Sequence, residues 1–132
     1  MTAPIPVPDA DTEPYLEALR RHELMLQHCL ACGRFRFPPM PACPWCGSGD
    51  ADWRAVSGEG VVYSWVGVQR ALTPAFESEV PYTIATVELA EGARVFARLD
   101  GSEPTRPGGA VAATFVDHAD WTELRFRPRG DG

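Results

Sequence analysis

Cys29-Leu30-Ala31-Cys32-Gly33 and Cys43-Pro44-Trp45-Cys46-Gly47 repeat one pattern, with ten residues between the inner cysteines. Two residues between cysteines let a tight turn aim both thiolates at one ion, and two such pairs complete a tetrahedral sphere. The glycine after each pair suits the positive-φ backbone that such a turn often needs. Cys29, Cys32, Cys43 and Cys46 are therefore the expected metal ligands and Zn2+ the expected ion. Four thiolates leave no position for a reactive water, so this zinc is expected to be structural rather than catalytic. It would supply much of the folding free energy of a segment too short to have a core of its own. Three other chemistries could use the same residues. Iron takes four thiolates in a rubredoxin-like site, Cys43-Pro44-Trp45-Cys46 has the spacing of a redox dithiol, and oxidising conditions would allow two disulfides.

Outward from the cysteines, the pattern on both sides is that of short strands. Leu24, Leu26 and His28 alternate with Met25 and Gln27 into the first pair, and Arg34 to Phe37 alternate out of it before Pro38, Pro39 and Pro41 interrupt. A hairpin is expected here. Upstream, a helix is expected from Asp11 or Thr12 to about His22, with Pro14 in its first turn and Tyr15, Leu16 and Leu19 on one apolar stripe. The first ten residues carry three prolines and read as an extended arm.

Downstream the pattern changes to repeated strands, placed near 53–57, 60–69, 82–90, 93–100, 110–116 and 121–127, with Gly58, Gly60, Glu91-Gly92, Pro107-Gly108-Gly109 and 117–120 as breaks. Five or six strands without helical crossovers predict a small closed barrel of the OB type. The second strand alternates Val61, Tyr63 and Trp65 with Val62, Ser64 and Val66, so both of its faces are expected to be partly covered. The expected organisation is an arm and helix over 1–25, a metal ribbon over 26–50 and a barrel over 51–132.

The chain has 132 residues and a net charge of −6, with twelve basic residues, all arginine, against eighteen acids. That balance opposes a polyphosphate partner. Tyr63, Trp65 and Phe96 could stack bases as a single-stranded nucleic-acid module, the alternative reading, but without a basic stripe they are expected to pack the core. No stretch is apolar and long enough to span a bilayer, and MTAPIPVPDADTEPY has no basic n-region, so a cytoplasmic location with reduced thiols is expected. No catalytic constellation is evident. His22, His28 and His118 lack a nucleophile or carboxylate at motif spacing and read as surface residues, His28 with some scope to tune the metal site; Ser57 and Ser64 lack a nucleophile elbow. The stretch 70–81, with Leu72, Phe76 and Val80, is long for a hairpin and a candidate for contact with a ligand or partner.

The order helix, four-cysteine ribbon, OB barrel resembles a family of acyl-CoA-associated proteins long described as a domain of unknown function. The resemblance is carried by the two cysteine knuckles with Phe37-Pro38-Pro39, by Ser57-Gly58-Glu59-Gly60-Val61-Val62-Tyr63, by Pro81-Tyr82 with 87–92, and by Phe126-Arg127-Pro128. It implies a rubredoxin-like zinc ribbon followed by an OB-fold, in an accessory subunit that is not itself an enzyme. The implied partner is a thiolase-like subunit, either a ketoacyl-CoA thiolase or a lipid-transfer-type aldolase acting on steroid side-chain thioesters. Some relatives are fused to a hydratase-like domain, for which these 132 residues leave no room. Acyl-CoA is an implied ligand, and Arg70, Arg94, Arg98 and Arg106 are the side chains that could hold its phosphates.

Overall fold

A computed structural model describes residues 10–69, 81–100 and 108–129. The expected arm, most of the 70–81 stretch, Arg70 and Arg106 lie outside the described residues. Helix α1 runs Glu13–Arg20 and is followed by β1 (Met25–Cys29), β2 (Phe35–Arg36), β3 (Ala51–Ala55), β4 (Glu59–Val68), β5 (Tyr82–Leu89), β6 (Arg94–Leu99), β7 (Ala110–Asp117) and β8 (Thr122–Pro128). Pro14 sits in the first turn of α1, Ala18 and Leu19 are its buried residues, and His22 at φ 59° turns the chain out of the helix. No described helix is long and apolar enough to cross a membrane.

The strands form two sheets. The first has the order β2-β1-β3, both pairs antiparallel, with Gln27 opposite Arg36 and β3 running from Met25↔Ala55 to Cys29↔Ala51. The strand expected near 53–57 as the start of the barrel therefore belongs beside β1. Alternation records which faces a strand buries, not which strand it bonds to, and β1 had a second edge of N–H and C=O groups to satisfy.

The second sheet is a closed barrel of five strands, ordered β4-β5-β6-β8-β7, with β7 returning to β4. The β6–β8 pair is parallel, at Arg98↔Arg125 and Leu99↔Phe126, and the other pairs are antiparallel. Val62, Ala85, Val87, Val95, Leu99, Val111 and Phe126 fill it, and the same core continues through Leu19, Leu24 and Leu26 into the helix and ribbon. Gly60 lets β4 pass close to β5, since a Cβ there would collide with the Glu88 carbonyl and lie 2.8 Å from Val87 Cγ1.

Tyr63, Trp65 and Phe96 are not core residues; they are 51%, 42% and 54% exposed. A bulge between Val62 and Ser64 removes Tyr63 from the β5 register, so the simple alternation along β4 breaks. Past the bulge Trp65 opposes Ala85 near the barrel mouth, while Phe96 opposes Thr86 on the outer face. The outer face of β4 is correspondingly open, with Val61 and Val66 41% and 58% exposed, so the cover expected there is partial at most.

Candidate metal centre

The first knuckle joins β1 to β2. Cys29 N–H donates to the Arg34 carbonyl at 2.9 Å and Gly33 N–H to the Cys29 carbonyl at 2.9 Å. The second repeats it, with Cys43 N–H on the Ser48 carbonyl and Gly47 N–H on the Cys43 carbonyl, both at 2.8 Å. Gly33 and Gly47 take φ of 80° and 79°, the left-handed region in which glycine alone is unstrained. Leu30 N–H to the Asp50 carbonyl, 3.0 Å, ties the first knuckle to the start of β3. The ribbon is thus built from one turn used twice, brought face to face by β1.

The four sulfurs converge. Cys29 Sγ is 3.6 Å from Cys46 Sγ, Cys32 Sγ is 3.6 Å from Cys43 Sγ, and all four lie within 4.8 Å of one another. Zn–S bonds near 2.3 Å in a tetrahedron place sulfurs about 3.8 Å apart, so the spacing fits one four-coordinate ion. Disulfide sulfurs stand about 2.05 Å apart, and these do not. Cys29 and Cys43 are buried, Cys32 and Cys46 exposed.

The surrounding dipoles favour thiolates unevenly. The Cys32 N–H, 3.5 Å from Cys29 Sγ, holds the Cys29 thiol below its usual value. Burial pushes Cys43 up, but the N–H groups of Cys46 and Trp45 with the Cys32 and Cys46 thiols outweigh it and bring it to about 6. For Cys46 the Ser48 N–H pulls down, yet the Cys29 sulfur, burial, and Cys43 and Cys32 together push it up to about 11. Four thiolates in this space repel one another, and a divalent cation is what would let all four ionise.

Next to the knuckles, Arg36 is 2% exposed; its Nε donates to Gln27 Oε1 at 3.0 Å and its Nη2 to the Met40 carbonyl at 3.1 Å. The Gln27 Oε1 also accepts from Met40 N–H at 2.8 Å, so this arginine braces the proline-rich connection between the cysteine pairs. Its burial was not legible from a two-residue strand.

Two histidines bond carboxylates that linear spacing concealed, and the third, His28, lies beside one without a hydrogen bond to it. His22 Nε2 lies 3.0 Å from both oxygens of Asp117, His118 Nε2 2.8 Å from Glu123 Oε1, and His28 Nδ1 3.6 Å from Asp52 Oδ1. His22 stacks on Phe115 and His118 on Trp121. Asp117 also accepts from Thr122 Oγ1 at 2.7 Å, which with His22 holds its carboxyl below the usual range. Burial raises Glu123, but hydrogen bonds from Arg125 and His118 outweigh it and leave that carboxyl low. With Arg20 donating to the Asp120 carbonyl at 2.9 Å, the His22–Asp117 pair fastens α1 to the β7–β8 hairpin. Ser57 bonds Glu91 through its backbone and hydroxyl, and Ser64 is exposed on β4. Arg94 lies 3.7 Å over the Tyr63 ring and Arg98 4.5 Å over that of Tyr82.

A helix-docked ribbon carrying four clustered thiols, packed on a five-stranded OB barrel, defines the class. Residues 16–52 match the family model described as the ChsH2 rubredoxin-like zinc ribbon domain, and residues 53–116 that of the ChsH2 C-terminal OB-fold domain. The chain belongs to the ChsH2 (DUF35) family. The solved structure titled "Ltp2-ChsH2(DUF35) aldolase" superimposes with a TM-score of 0.82 at 37% identity, covering 94% of this chain and 98% of that one. The 3-oxo-4,17-pregnadiene-20-carboxyl-CoA hydratase alpha subunit of Mycobacterium tuberculosis is 36% identical over 93% of this chain and 39% of its own length. A probable enoyl-CoA hydratase alpha subunit of Thermomonospora curvata is 41% identical over 78% of this chain and 32% of its own length. The chain thus spans 32% and 39% of the lengths of these two relatives. A DUF35 domain-containing scaffold protein of Methanothermobacter thermautotrophicus is 36% identical over 82% of this chain and 74% of its length.

Proposed function

We propose that this chain is a non-catalytic accessory subunit of a thiolase-like acyl-CoA enzyme, held in shape by one structural zinc ion on Cys29, Cys32, Cys43 and Cys46. The observation that carries the reading is the near end-to-end match to the ChsH2 chain of a solved two-component aldolase. The names of the relatives support a CoA thioester as the substrate of the assembly, and one of them supports a steroid side chain as its acyl part. Zinc is favoured over iron by the zinc-ribbon model that covers the cysteines.

The chain's own residues supply architecture. The knuckles fix the turn geometry, α1 is clamped to the β7–β8 hairpin, and Tyr15, Phe37 and Phe96 pack in sequence, with centroids 5.6 and 5.2 Å apart, to join helix, ribbon and barrel. Support for a non-catalytic role comes from the relatives named as scaffold proteins and from the use of the His22–Asp117 pair to join helix and hairpin. A hollow of about 450 Å³ at the barrel mouth, lined by Trp65, Tyr82, Arg98 and Arg125, is the place where this chain would touch the CoA portion of a substrate held by the partner. The test is co-expression with the same organism's homologue of Ltp2. A complex that turns over an acyl-CoA, and keeps its turnover when His22, His28 or His118 is replaced, is the expected result. Separate elution of the two chains at micromolar concentration, or loss of the chemical step without loss of assembly, would overturn the reading.

A further inference from the structure

We propose that the outer face of β4–β6, running into the groove beneath α1, is the surface on which the partner enzyme subunit docks; this rests on the accessory-subunit reading above. Val61, Tyr63, Val66 and Phe96 are 41%, 51%, 58% and 54% exposed. They share one face: Val61 opposes Glu88, Val66 opposes Ile84 and Phe96 opposes Thr86, all on the side of β5 that turns away from Ala85 and Val87, while Tyr63 lies under the outward-facing Arg94. The face does not end at the barrel. Ile84 and Phe96 also line a groove of about 360 Å³ whose other wall is Tyr15 and Leu16 of α1, with Trp121 at its end.

This composition has the make-up of an interface centre. Tyr, Phe, Trp and Arg carry most binding energy at interfaces, in a dry centre with a charged rim. Arg94 stands opposite Glu88 on the face and Arg98 lines the groove, each guanidinium stacked on a tyrosine ring and so held in place. The fitting surface is an apolar knob, seated in the groove, with a carboxylate positioned to meet Arg94.

One alternative occupant fits less well. An acyl chain would need enclosure, since small-molecule pockets bury most of their ligand, and the greater part of this surface is an open sheet face. The solved relative, by contrast, is one chain of an aldolase whose other chain is a different protein.

The experiment measures binding of the purified chain to the same organism's Ltp2 homologue by titration, for wild type, Val66→Asp, Arg94→Glu and Leu30→Asp. Leu30 is 57% exposed on the first knuckle and serves as an equally apolar position away from the face. Zinc content and circular dichroism establish that each variant is folded, and Arg94→Glu carries the test should Val66→Asp fail to fold. Expected is at least about a tenfold weakening from Val66→Asp and from Arg94→Glu, with Leu30→Asp binding as wild type. Wild-type affinity in both face variants, with loss in Leu30→Asp, overturns the proposal and moves the interface to the knuckles. Two further outcomes also overturn it: a wild type that dimerises alone and becomes monomeric on Val66→Asp, or one that binds lauroyl-CoA alone and loses it on that substitution. A wild type that does not bind the Ltp2 homologue defeats the accessory-subunit reading itself, a result distinguishable from the others.

Discussion

Gly60 is the position where one atom matters most. A methyl group there meets the Glu88 backbone and Val87 Cγ1, and neither is the loose end of a flexible side chain. Gly60→Ala should therefore cost about 1–3 kcal/mol, as overpacking against fixed neighbours does, and urea unfolding will read it as a lower midpoint with an unchanged slope. Phe126, fully buried and paired across the barrel closure to Leu99, is the converse case. Phe126→Ala removes a large core side chain and should cost about 3–5 kcal/mol, enough to leave a small barrel partly unfolded at growth temperature.

Among the elements, the ribbon and the α1 clamp make separate predictions. Purified protein is expected to hold one zinc per chain, and Cys43→Ser to lower that content; a zinc content near zero in protein prepared without chelator would sink the assignment. The clamp responds to acid. Asp117 has its folded pKa depressed, first by Thr122 and then by His22, so its contribution is present above the unfolded value of about 3.9 and is lost as pH falls through the folded one. Both partners are exposed, which keeps the effect small. Thermal melts of wild type and Asp117→Asn should differ at pH 6, begin to converge as pH falls below about 4 and coincide only below the depressed folded pKa; a difference unchanged over that whole range would show that the carboxylate charge is not its source.

At the scale of the whole molecule, one hydrophobic core runs from Leu19 through Leu26 to Phe126, so the ribbon is not an independent bead. Strong chelation should nevertheless melt the knuckles before the barrel, because the loops of 29–47 would lean on the proposed ion whereas the barrel leans on its own apolar interior. Amide hydrogen exchange after chelation measures this order. The net charge of −6 predicts weak binding of single-stranded DNA at physiological salt even though three aromatic side chains are exposed on the barrel. Fluorescence anisotropy decides it: salt-sensitive submicromolar affinity would put the nucleic-acid reading first.

The sequence by itself determined what depends on neighbours in the chain. The C-x2-C pairs with their glycines specified the knuckle turns, the alternating runs placed most strands of the barrel to within a residue or two, and Pro14 marked the helix start, because turn geometry and strand period are local properties. Only the tertiary structure decided what depends on distant contacts. Backbone pairing assigned 51–55 to β1 and closed the barrel at five strands, since any strand edge of matching length could have been the partner. The bulge at Val62/Ser64 reversed the alternation after Tyr63, so that Trp65 opposes Ala85 while Val66 joins Val61 and Tyr63 on the outer side, because an inserted residue shifts register without any mark in composition. His22 and Asp117, 95 residues apart, became a pair for the same reason that Val66 and Phe96 came to share an open face: the barrel brings together what the chain keeps far apart.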